Sequence, residues 1–369
     1  MSVELLFARV SPHGTAGSLA YSQMDALPVV QIASVTGLWG VSFLVMAVPA
    51  AVAVATAPAV TRGRRRAIVG AALVVVLGVL GFGAWRLTRP VDGATVGVGL
   101  AASDVDVRRF NTRDRLEALS LIDAFSGAID TLAARGAQVV VLPEKIVGVT
   151  DAYKTEVEQR LADAARRNRV VVVAGLNEIT TPLKRNVALV FAADGTRAAG
   201  YLKQHLIPGL EAGYVVGDTP SVVPATVPPW GVAICKDLDF PALGRVYASR
   251  GVALMLVPAW DFVADAWQHE AMAAMRAVES GFALARSARQ GRLTVRDDRG
   301  RLVAAGRSDA APLALVAATV KVRHDATVYA RYGDWFAWLC AIVTGAVLAR
   351  LAALAYGGSS RGEAWTATG

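Results

Sequence analysis

The chain has 369 residues, long enough to bury a large core and to carry additional segments. Hydrophobic residues make up 54% of it, and the mean hydropathy of +0.43 is high for a purely soluble enzyme. This apolar excess lies near both ends, which indicates membrane spans around a globular middle. The net charge of +8 comes without an aromatic-basic stacking motif, which argues against nucleic acid as a partner and favours anionic lipid headgroups.

Three apolar runs predict the membrane-spanning helices. Residues 27–60 are almost uncharged, and this run is too long for one straight span because about 20 residues cross the hydrocarbon layer. We therefore expect an interfacial entry over 28–36, before the first span. The runs at 67–85 and 335–356 fit one crossing each, and a polar tail, 357–369, follows the last one.

The hairpin between the first two spans carries four arginines in the stretch TRGRRR, residues 61–66. Arginine-rich loops stay on the cytoplasmic side of a membrane. We interpret residues 1–90 as an N-terminal membrane segment, with the chain start and the middle domain outside the cytoplasm and the C-terminal tail inside. The opening residues lack the basic-then-apolar order of a cleavable signal peptide, so the first span is expected to be an uncleaved anchor.

Between residues 94 and 324, short β-branched runs alternate with helical stretches, which predicts an α/β domain. Its continuous aliphatic strands indicate sheets that are covered on both faces. Helices are predicted over 113–135, with an apolar stripe that starts at Leu116, and over 155–168. Strands are predicted at 95–101, 138–143, 169–174, 187–192, 231–234, 253–257, 282–286, 293–297 and 313–319.

The stretch VAICKDLDFP places Cys235 where an apolar strand meets a cluster of charges. Glu144 directly follows the strand VVVLP, and Lys203 and Glu211 lie around the proline turn of YLKQHLIPGLE. A cysteine nucleophile needs a base for its proton, and a donor where negative charge develops on the attacked carbonyl oxygen. A glutamate, a lysine and a cysteine supply these groups, although each residue alone also fits an ordinary structural role.

In this order and in these strand contexts, LPEK, YLKQHLIPGLE and GVAICKD resemble the nitrilase (carbon–nitrogen hydrolase) superfamily. The resemblance implies an αββα sandwich with a Glu-Lys-Cys triad. It assigns Glu144 as the general base, Lys203 as the oxyanion stabiliser and Cys235 as the nucleophile. Glu211, eight residues after the lysine, matches a second glutamate that is often found near that triad.

A nitrilase-like domain between membrane spans resembles, within this superfamily, the apolipoprotein N-acyltransferases. Further similarity lies in SPHGTAGSLAYSQ, in QIASVTGLWGVSF and in AWQHE, which leads into a helix with MRAVE. The resemblance implies a multi-pass enzyme of a bacterial-type inner membrane, with its catalytic domain on the extracytoplasmic side and an expected shortening of the N-terminal membrane part. It also implies a phospholipid acyl donor and the N-terminal cysteine of a lipoprotein as acceptor.

Two residues after the cysteine depart from the pattern of these acyltransferases. Lys236 and Asp237 stand where an aromatic residue and a glutamate are usual; Asp237 keeps a carboxylate, and Lys236 changes the rim of the pocket. We expect Asp237, Trp260 and Trp267 to support the site or to contact substrate. No cofactor or metal is predicted, because the four histidines are spread along the chain without forming a cluster.

Three functions remain open from the sequence. The first is an N-acyltransferase that works through a cysteine thioester, which the span-flanked layout favours. The second is a membrane-anchored amidase or nitrilase-type hydrolase, in which the same triad uses water as the final nucleophile. The third is a membrane scaffold whose domain has no catalytic activity, and an intact triad argues against it.

Overall fold

The computed structural model describes residues 1–105, 107–180 and 182–362. Its helices are α1 (Ser2–Val10), α2 (Leu27–Val30), α3 (Ala33–Thr36), α4 (Leu38–Thr56), α5 (Arg62–Thr88), α6 (Arg115–Ala134), α7 (Lys154–Asn168), α8 (Pro241–Ser249), α9 (Ala266–Ser280), α10 (Val328–Tyr332) and α11 (Trp335–Gly362). Its strands are β1 (Ala94–Ala102), β2 (Val139–Val141), β3 (Gly148–Val149), β4 (Val171–Ile179), β5 (Lys184–Phe191), β6 (Arg197–Leu202), β7 (Ser221–Val223), β8 (Trp230–Val232), β9 (Leu254–Trp260), β10 (Ala283–Arg289), β11 (Arg292–Arg296), β12 (Leu302–Arg307) and β13 (Ala314–Val322).

Two mixed sheets form the centre of the domain. One has the strand order β13-β1-β2-β4-β5-β6, with β3 paired to β4, and the other has the order β12-β11-β10-β9-β8-β7. Aliphatic side chains from both sheets, such as Leu100 and Leu256, form one buried cluster between them. Helices α6 and α7 cover the outer face of the first sheet, and α8 and α9 cover that of the second. This arrangement is the predicted αββα sandwich.

Helix α6 shows how the local sequence produces one of the outer layers. The side chain of Asp114 accepts a hydrogen bond from the Glu117 N–H and so caps the helix start. Ile122 and Ile129 are fully buried against the sheet, as the helical spacing predicts. Leu116 is 72% exposed, so its assignment to the apolar stripe was wrong. The helix begins at Arg115, two residues later than predicted, and its buried face begins only at Ala118.

Three helices are long and apolar enough to cross a membrane: Leu38–Thr56, Arg62–Thr88 and Trp335–Ala355. They coincide with the predicted runs, and the short helices α2 and α3 occupy the stretch that was predicted as an interfacial entry. Helix α11 continues to Gly362, into the stretch predicted as a polar tail. Residues 363–369 of that tail lie outside the described residues.

The first apolar helix and the segment before it pack directly on helix α9 of the sandwich. Tyr21, Leu38 and Trp39 share a buried cluster with Met272 and Met275 of α9. The N–H of Leu38, at the start of α4, donates to the Glu279 Oε1 atom of α9 at 2.6 Å. This hydrogen bond supplies the partner that a buried N–H at a helix start needs, and it fixes the first apolar helix to the sandwich.

The sequence predicted the interior strands and the edge strand β13, and it missed the short strand β3 and the other three edge strands. Strands β6, β7 and β12 lie at the ends of the two sheets. Their side chains are largely half-buried or exposed, so they carry no continuous aliphatic run. Because an edge strand has one unpaired side and a partly solvated face, its sequence pattern is weaker than that of a central strand.

Candidate active site

Glu144 is placed by the turn that follows β2. Its N–H donates to the Ala259 carbonyl of the second sheet at 3.2 Å, so the turn bridges the two sheets. The turn also passes close to β4. Gly175 on that strand leaves room for it, because a Cβ atom there would lie 2.4 Å from the Pro143 carbonyl oxygen. The carboxylate is 2% exposed as a result.

Lys203 follows β6 and reaches the same buried space. Its Nζ atom lies 2.8 Å from Glu144 Oε1 and 3.0 Å from Glu211 Oε2, and the side chain is fully buried. Burial by itself would lower the pKa of Lys203, but the neighbouring Glu144 carboxylate, the Cys235 sulfur and Glu211 outweigh it and raise that pKa. The amine therefore stays protonated and keeps a positive charge in the site.

Cys235 begins a short 3-10 helix, Cys235–Asp239, directly after β8. Its φ of 45° is a strained backbone conformation for a residue with a side chain, and such strain is common where a side chain must be held at a fixed point. Its Sγ atom donates to the Trp260 carbonyl at 3.4 Å. Burial, and next the Glu144 charge, raise the pKa of the thiol, while Lys203 lowers it. The resting thiol is therefore protonated and needs a base.

Glu144 has one oxygen available for that proton. Its Oε1 atom accepts from Lys203 and from Asn186 Nδ2, the latter at 2.6 Å. Its Oε2 atom is buried and has no hydrogen-bond partner among the described residues. A buried acceptor without a donor is costly, so this oxygen is the one that can take a proton from a thiol or an amine.

Glu211 forms the opposite side of the cluster. It accepts from Lys145 Nζ at 2.5 Å, from Asn186 Nδ2 at 2.8 Å and from the Ile207 N–H at 2.8 Å. Burial would raise the pKa of Glu211, but Lys203 and Lys145 lower it to about 2. Glu211 is therefore ionised at every physiological pH and acts as a fixed negative charge beside the two lysines.

Asp237 holds the lysine loop and the cysteine turn together. Its carboxylate accepts from the Tyr201 hydroxyl at 2.7 Å, from the Ile234 N–H at 3.1 Å and from the His205 N–H at 2.8 Å. Tyr201 and His205 flank Lys203, and Ile234 precedes Cys235. The contacts of Asp237 are with these two loops, so its observed role is to position them.

The two predicted tryptophans lie in different surroundings. Trp260 contacts the site through its backbone carbonyl, which accepts from the cysteine, while its indole N–H donates to Gln290 at 2.7 Å. Trp267 is 43% exposed and lines a separate open cavity of about 530 Å³ on the second sheet, together with Val263 and Arg292. The structure therefore does not bring Trp267 to the cluster.

Sequence reasoning missed two members of the cluster, Asn186 and Lys145. Asn186 is fully buried within β5, and its amide joins the two carboxylates. A polar residue beside the apolar run VALVF was the available signal, but the predicted strand began one residue later. Lys145 was visible in LPEK, yet nothing in the sequence shows that it points inward rather than into solvent. Within the described residues, no group of three or more His, Cys, Asp or Glu side chains is placed to hold a metal.

Comparison with known proteins identifies the family. The family model for carbon-nitrogen hydrolases matches residues 111–324, more than half of the chain. The chain belongs to the carbon-nitrogen hydrolase family. It is thus an enzyme of the nitrilase superfamily, and the buried cluster of a thiol, two carboxylates and two amines lies within the matched range.

Similar proteins include bacterial apolipoprotein N-acyltransferases. The chain is 28% identical to an apolipoprotein N-acyltransferase of Geobacter metallireducens, over 91% of this chain and 69% of that protein. It is 26% identical to one of Bradyrhizobium diazoefficiens, over 91% of this chain and 68% of that protein. A chloroplastic omega-amidase of Arabidopsis thaliana is 29% identical over 36% of this chain and 42% of that protein.

Solved structures agree on the fold. A cysteine-to-alanine mutant of a Nesterenkonia amidase from the nitrilase superfamily superimposes with a TM-score of 0.55 at 20% identity, covering 65% of this chain and 95% of that one. A carbon-nitrogen hydrolase from Helicobacter pylori gives 0.51 at 19% identity, covering 62% and 89%. Together the comparisons support an acyltransferase or hydrolase of this family. The bacterial relatives and the three apolar helices of this chain suggest an inner membrane.

Proposed function

We propose that the protein is a membrane-bound N-acyltransferase that moves a fatty acyl group from a phospholipid, through a Cys235 thioester, to the N-terminal amine of a lipoprotein. The observation that carries this proposal is the contact between the cysteine turn and the segment leading into the first apolar helix. Thr15 donates to the Asp239 carbonyl from its hydroxyl at 2.7 Å and from its N–H at 3.2 Å. Asp239 ends the short helix that Cys235 begins, so the thiol lies beside the membrane-anchored part.

In the first half-reaction, Glu144 Oε2 takes the thiol proton as the sulfur attacks the ester carbonyl of the phospholipid. The Lys203 ammonium stabilises the negative charge that forms on the carbonyl oxygen. The carbon–oxygen ester bond then breaks, and the proton held by Glu144 passes to the departing lysophospholipid. The products are a lysophospholipid and an acyl thioester on Cys235.

In the second half-reaction, the amino group of a lipid-modified N-terminal cysteine attacks the thioester carbonyl. Glu144 accepts a proton from the attacking amine, and Lys203 again stabilises the oxygen anion. The carbon–sulfur bond breaks, an amide forms, and the proton returns to the sulfur. Because the acyl group rests on the enzyme between two substrates, ping-pong kinetics are expected.

We further propose the arrangement of the chain in the membrane. Residues 1–90 and 335–356 anchor the catalytic domain, 94–324, and the arginine hairpin at 61–66 stays in the cytoplasm. The catalytic domain then lies on the extracytoplasmic side of the inner membrane. With the cysteine turn packed on the anchoring segment, both lipid-bearing substrates reach the thiol without leaving the bilayer surface.

A hydrolase is the second candidate, and the similarity to an omega-amidase is the observation that favours it. In this alternative the same three residues form an acyl-enzyme from a small amide, and water releases the acyl group. Both candidates form an acyl-enzyme on Cys235 in the first step; they differ in the acyl donor and in the nucleophile, an amine or water, that releases the acyl group.

Mass spectrometry of Cys235 after incubation with phospholipid vesicles tests the proposal. We expect a peptide adduct of fatty-acyl mass in the wild-type protein and none in a Cys235→Ala variant. Adding a lipopeptide with a free N-terminal amine should discharge the adduct and yield the N-acylated peptide. An intact, folded protein that forms no acyl adduct with phospholipid but hydrolyses small amides would reject acyl transfer in favour of the hydrolase.

A further inference from the structure

Lys145 lies next to the general base in sequence and inside the site in space. Its backbone has a φ of 50°, and its carbonyl accepts from Arg289 Nη1 at 2.9 Å, which holds the turn in this strained form. The side chain is 7% exposed and ends 2.5 Å from Glu211 Oε1. Its ammonium also lies 4.4 Å from the centre of the Tyr214 ring, a distance at which a cation is attracted to an aromatic face.

Lys145 completes an alternating row of buried charges. Glu144 pairs with Lys203 at 2.8 Å, Lys203 with Glu211 at 3.0 Å, and Glu211 with Lys145 at 2.5 Å. With both carboxylates ionised and both amines protonated, the row has two negative and two positive charges and is neutral. Without Lys145 it would carry one uncompensated negative charge in a buried site, where water cannot screen it.

We propose that Lys145 is a positioning residue that neutralises Glu211, and thereby leaves the charge of Lys203 available to the carbonyl oxygen and the Cys235 sulfur. The inference rests on the proposed function, because Lys203 and Cys235 act in it as oxyanion stabiliser and nucleophile. It adds a fourth charged residue whose effect passes through Glu211 rather than through contact with substrate.

The physical reason is the division of one positive charge between two carboxylates. If Glu211 had only Lys203 as a cationic partner, the Lys203 ammonium would be shared between Glu211 and Glu144. An ammonium so compensated stabilises a developing anion less, and the net negative field disfavours a thiolate nearby. Because Lys145 neutralises Glu211 at its other oxygen, Glu211 can hold Lys203 in place while compensating less of the Lys203 charge.

The groups that can influence the titration of the Cys235 thiol come from several elements. The Tyr214 ring lies against the Lys145 ammonium, and the Lys184 ammonium lies 5.9 Å from the centre of the same ring. The thiol also feels Asp261 and Arg286, which form a buried ion pair with each other. Because these groups are unchanged in the variants below, their contributions cancel when midpoints are compared.

The test compares the wild type with four variants by the pH dependence of Cys235 alkylation with iodoacetamide, which needs no lipid. We expect Lys145→Met to move the alkylation midpoint up by about 1 pH unit or more. Glu211→Gln should move it below the wild-type value, and the double variant with both substitutions should return it towards wild type, because the row is neutral again. Lys145→Arg, which keeps the charge, should retain the wild-type midpoint.

Lys154→Met is the matched control. Lys154 also lies 2.5 Å from a buried carboxylate, that of Glu178, but on the outer helix α7, so its loss should leave the midpoint unchanged. A Lys145→Met profile that superimposes on the wild type overturns the inference. If that variant does not fold, equal midpoints in Glu211→Gln and the double variant overturn it. Absence of acyl adducts in the wild type would reject the proposed function and leave this comparison valid.

Discussion

At Glu211, three hydrogen bonds and an ion pair converge on one carboxylate: the Lys145 amine, the Asn186 amide and the Ile207 N–H donate to it, and the Lys203 ammonium pairs with it at 3.0 Å. The ionised Glu211 carboxylate therefore contributes to the free energy of unfolding as well as to the electrostatics of the site. Since folding lowers its pKa from the ordinary value of 4.5 to about 2, the ionised form is favoured in the native state. Its contribution is fully present above pH 4.5 and is lost as the pH falls towards 2.

The prediction at this residue concerns acid stability. Near pH 7, Glu211→Gln should lower the free energy of unfolding by an amount on the order of 3 kcal/mol relative to the wild type. The variant should therefore unfold at a lower temperature. The difference should narrow as the pH falls from 4.5 towards 2, because the wild-type carboxylate is then protonated. Thermal unfolding of the purified proteins across this pH range measures it. A constant difference in stability at all pH values would show that these partners do not depress the pKa of Glu211.

Glu156→Gln is a suitable control for that experiment. Its carboxylate pairs with Arg115 at 2.7 Å, with both side chains partly exposed to solvent. Exposed pairs of this kind contribute about 0–1 kcal/mol. The control variant should therefore unfold close to the wild type at every pH.

At the scale of elements, the junction between α3 and α4 fixes the first apolar helix to the sandwich. Gly37 has a φ of 69°, and a Cβ atom there would lie 2.4 Å from the Tyr329 ring of α10. The next residue donates its N–H to Glu279, whose pKa burial raises to about 7. The glycine is required both for the left-handed backbone and for the contact with the ring.

Gly37→Ala is predicted to destabilise the protein by about 1–3 kcal/mol, because it combines an unfavourable φ with a clash against an aromatic ring. Thermal unfolding in detergent is the measurement. Gly127→Ala on α6 serves as the comparison, since a Cβ atom there meets nothing within 4 Å, and alanine favours a helix. Equal melting temperatures for the two variants would contradict the assigned role of Gly37.

At the scale of the whole molecule, the three apolar helices and the arginine hairpin imply a defined orientation. Single cysteines at the exposed positions Gly63 and Asp194 report on it in a background with Cys235→Ala and Cys340→Ala. In cells whose outer membrane or wall is permeabilised and whose inner membrane is intact, a membrane-impermeant maleimide should label Asp194→Cys and not Gly63→Cys. Both should be labelled after lysis. Labelling of the hairpin cysteine before lysis would reverse the proposed topology.

Much of the fold and part of the candidate site were accessible from the sequence. The interior strands, the helices α6 and α7, and the apolar helices follow from patterns that repeat within about 20 residues, so they are visible locally. Glu144, Lys203 and Cys235 stood out because each follows a predicted strand or turn. Edge strand β12 and the exposed Leu116 were misjudged, since burial there depends on which neighbours the completed sheets supply.

The sequence by itself determined the positions of the three long apolar helices, the strand–helix alternation and the order of the three motifs, because hydrophobic periodicity and charge are local properties of the chain. Only the tertiary structure decided which polar side chains meet. The sandwich brings the turn after β2, the loop after β6 and the turn after β8 to one buried point, where Asn186 and Lys145 join them. Convergence of this kind arises from the packing of one sheet on another, which no single stretch of sequence records.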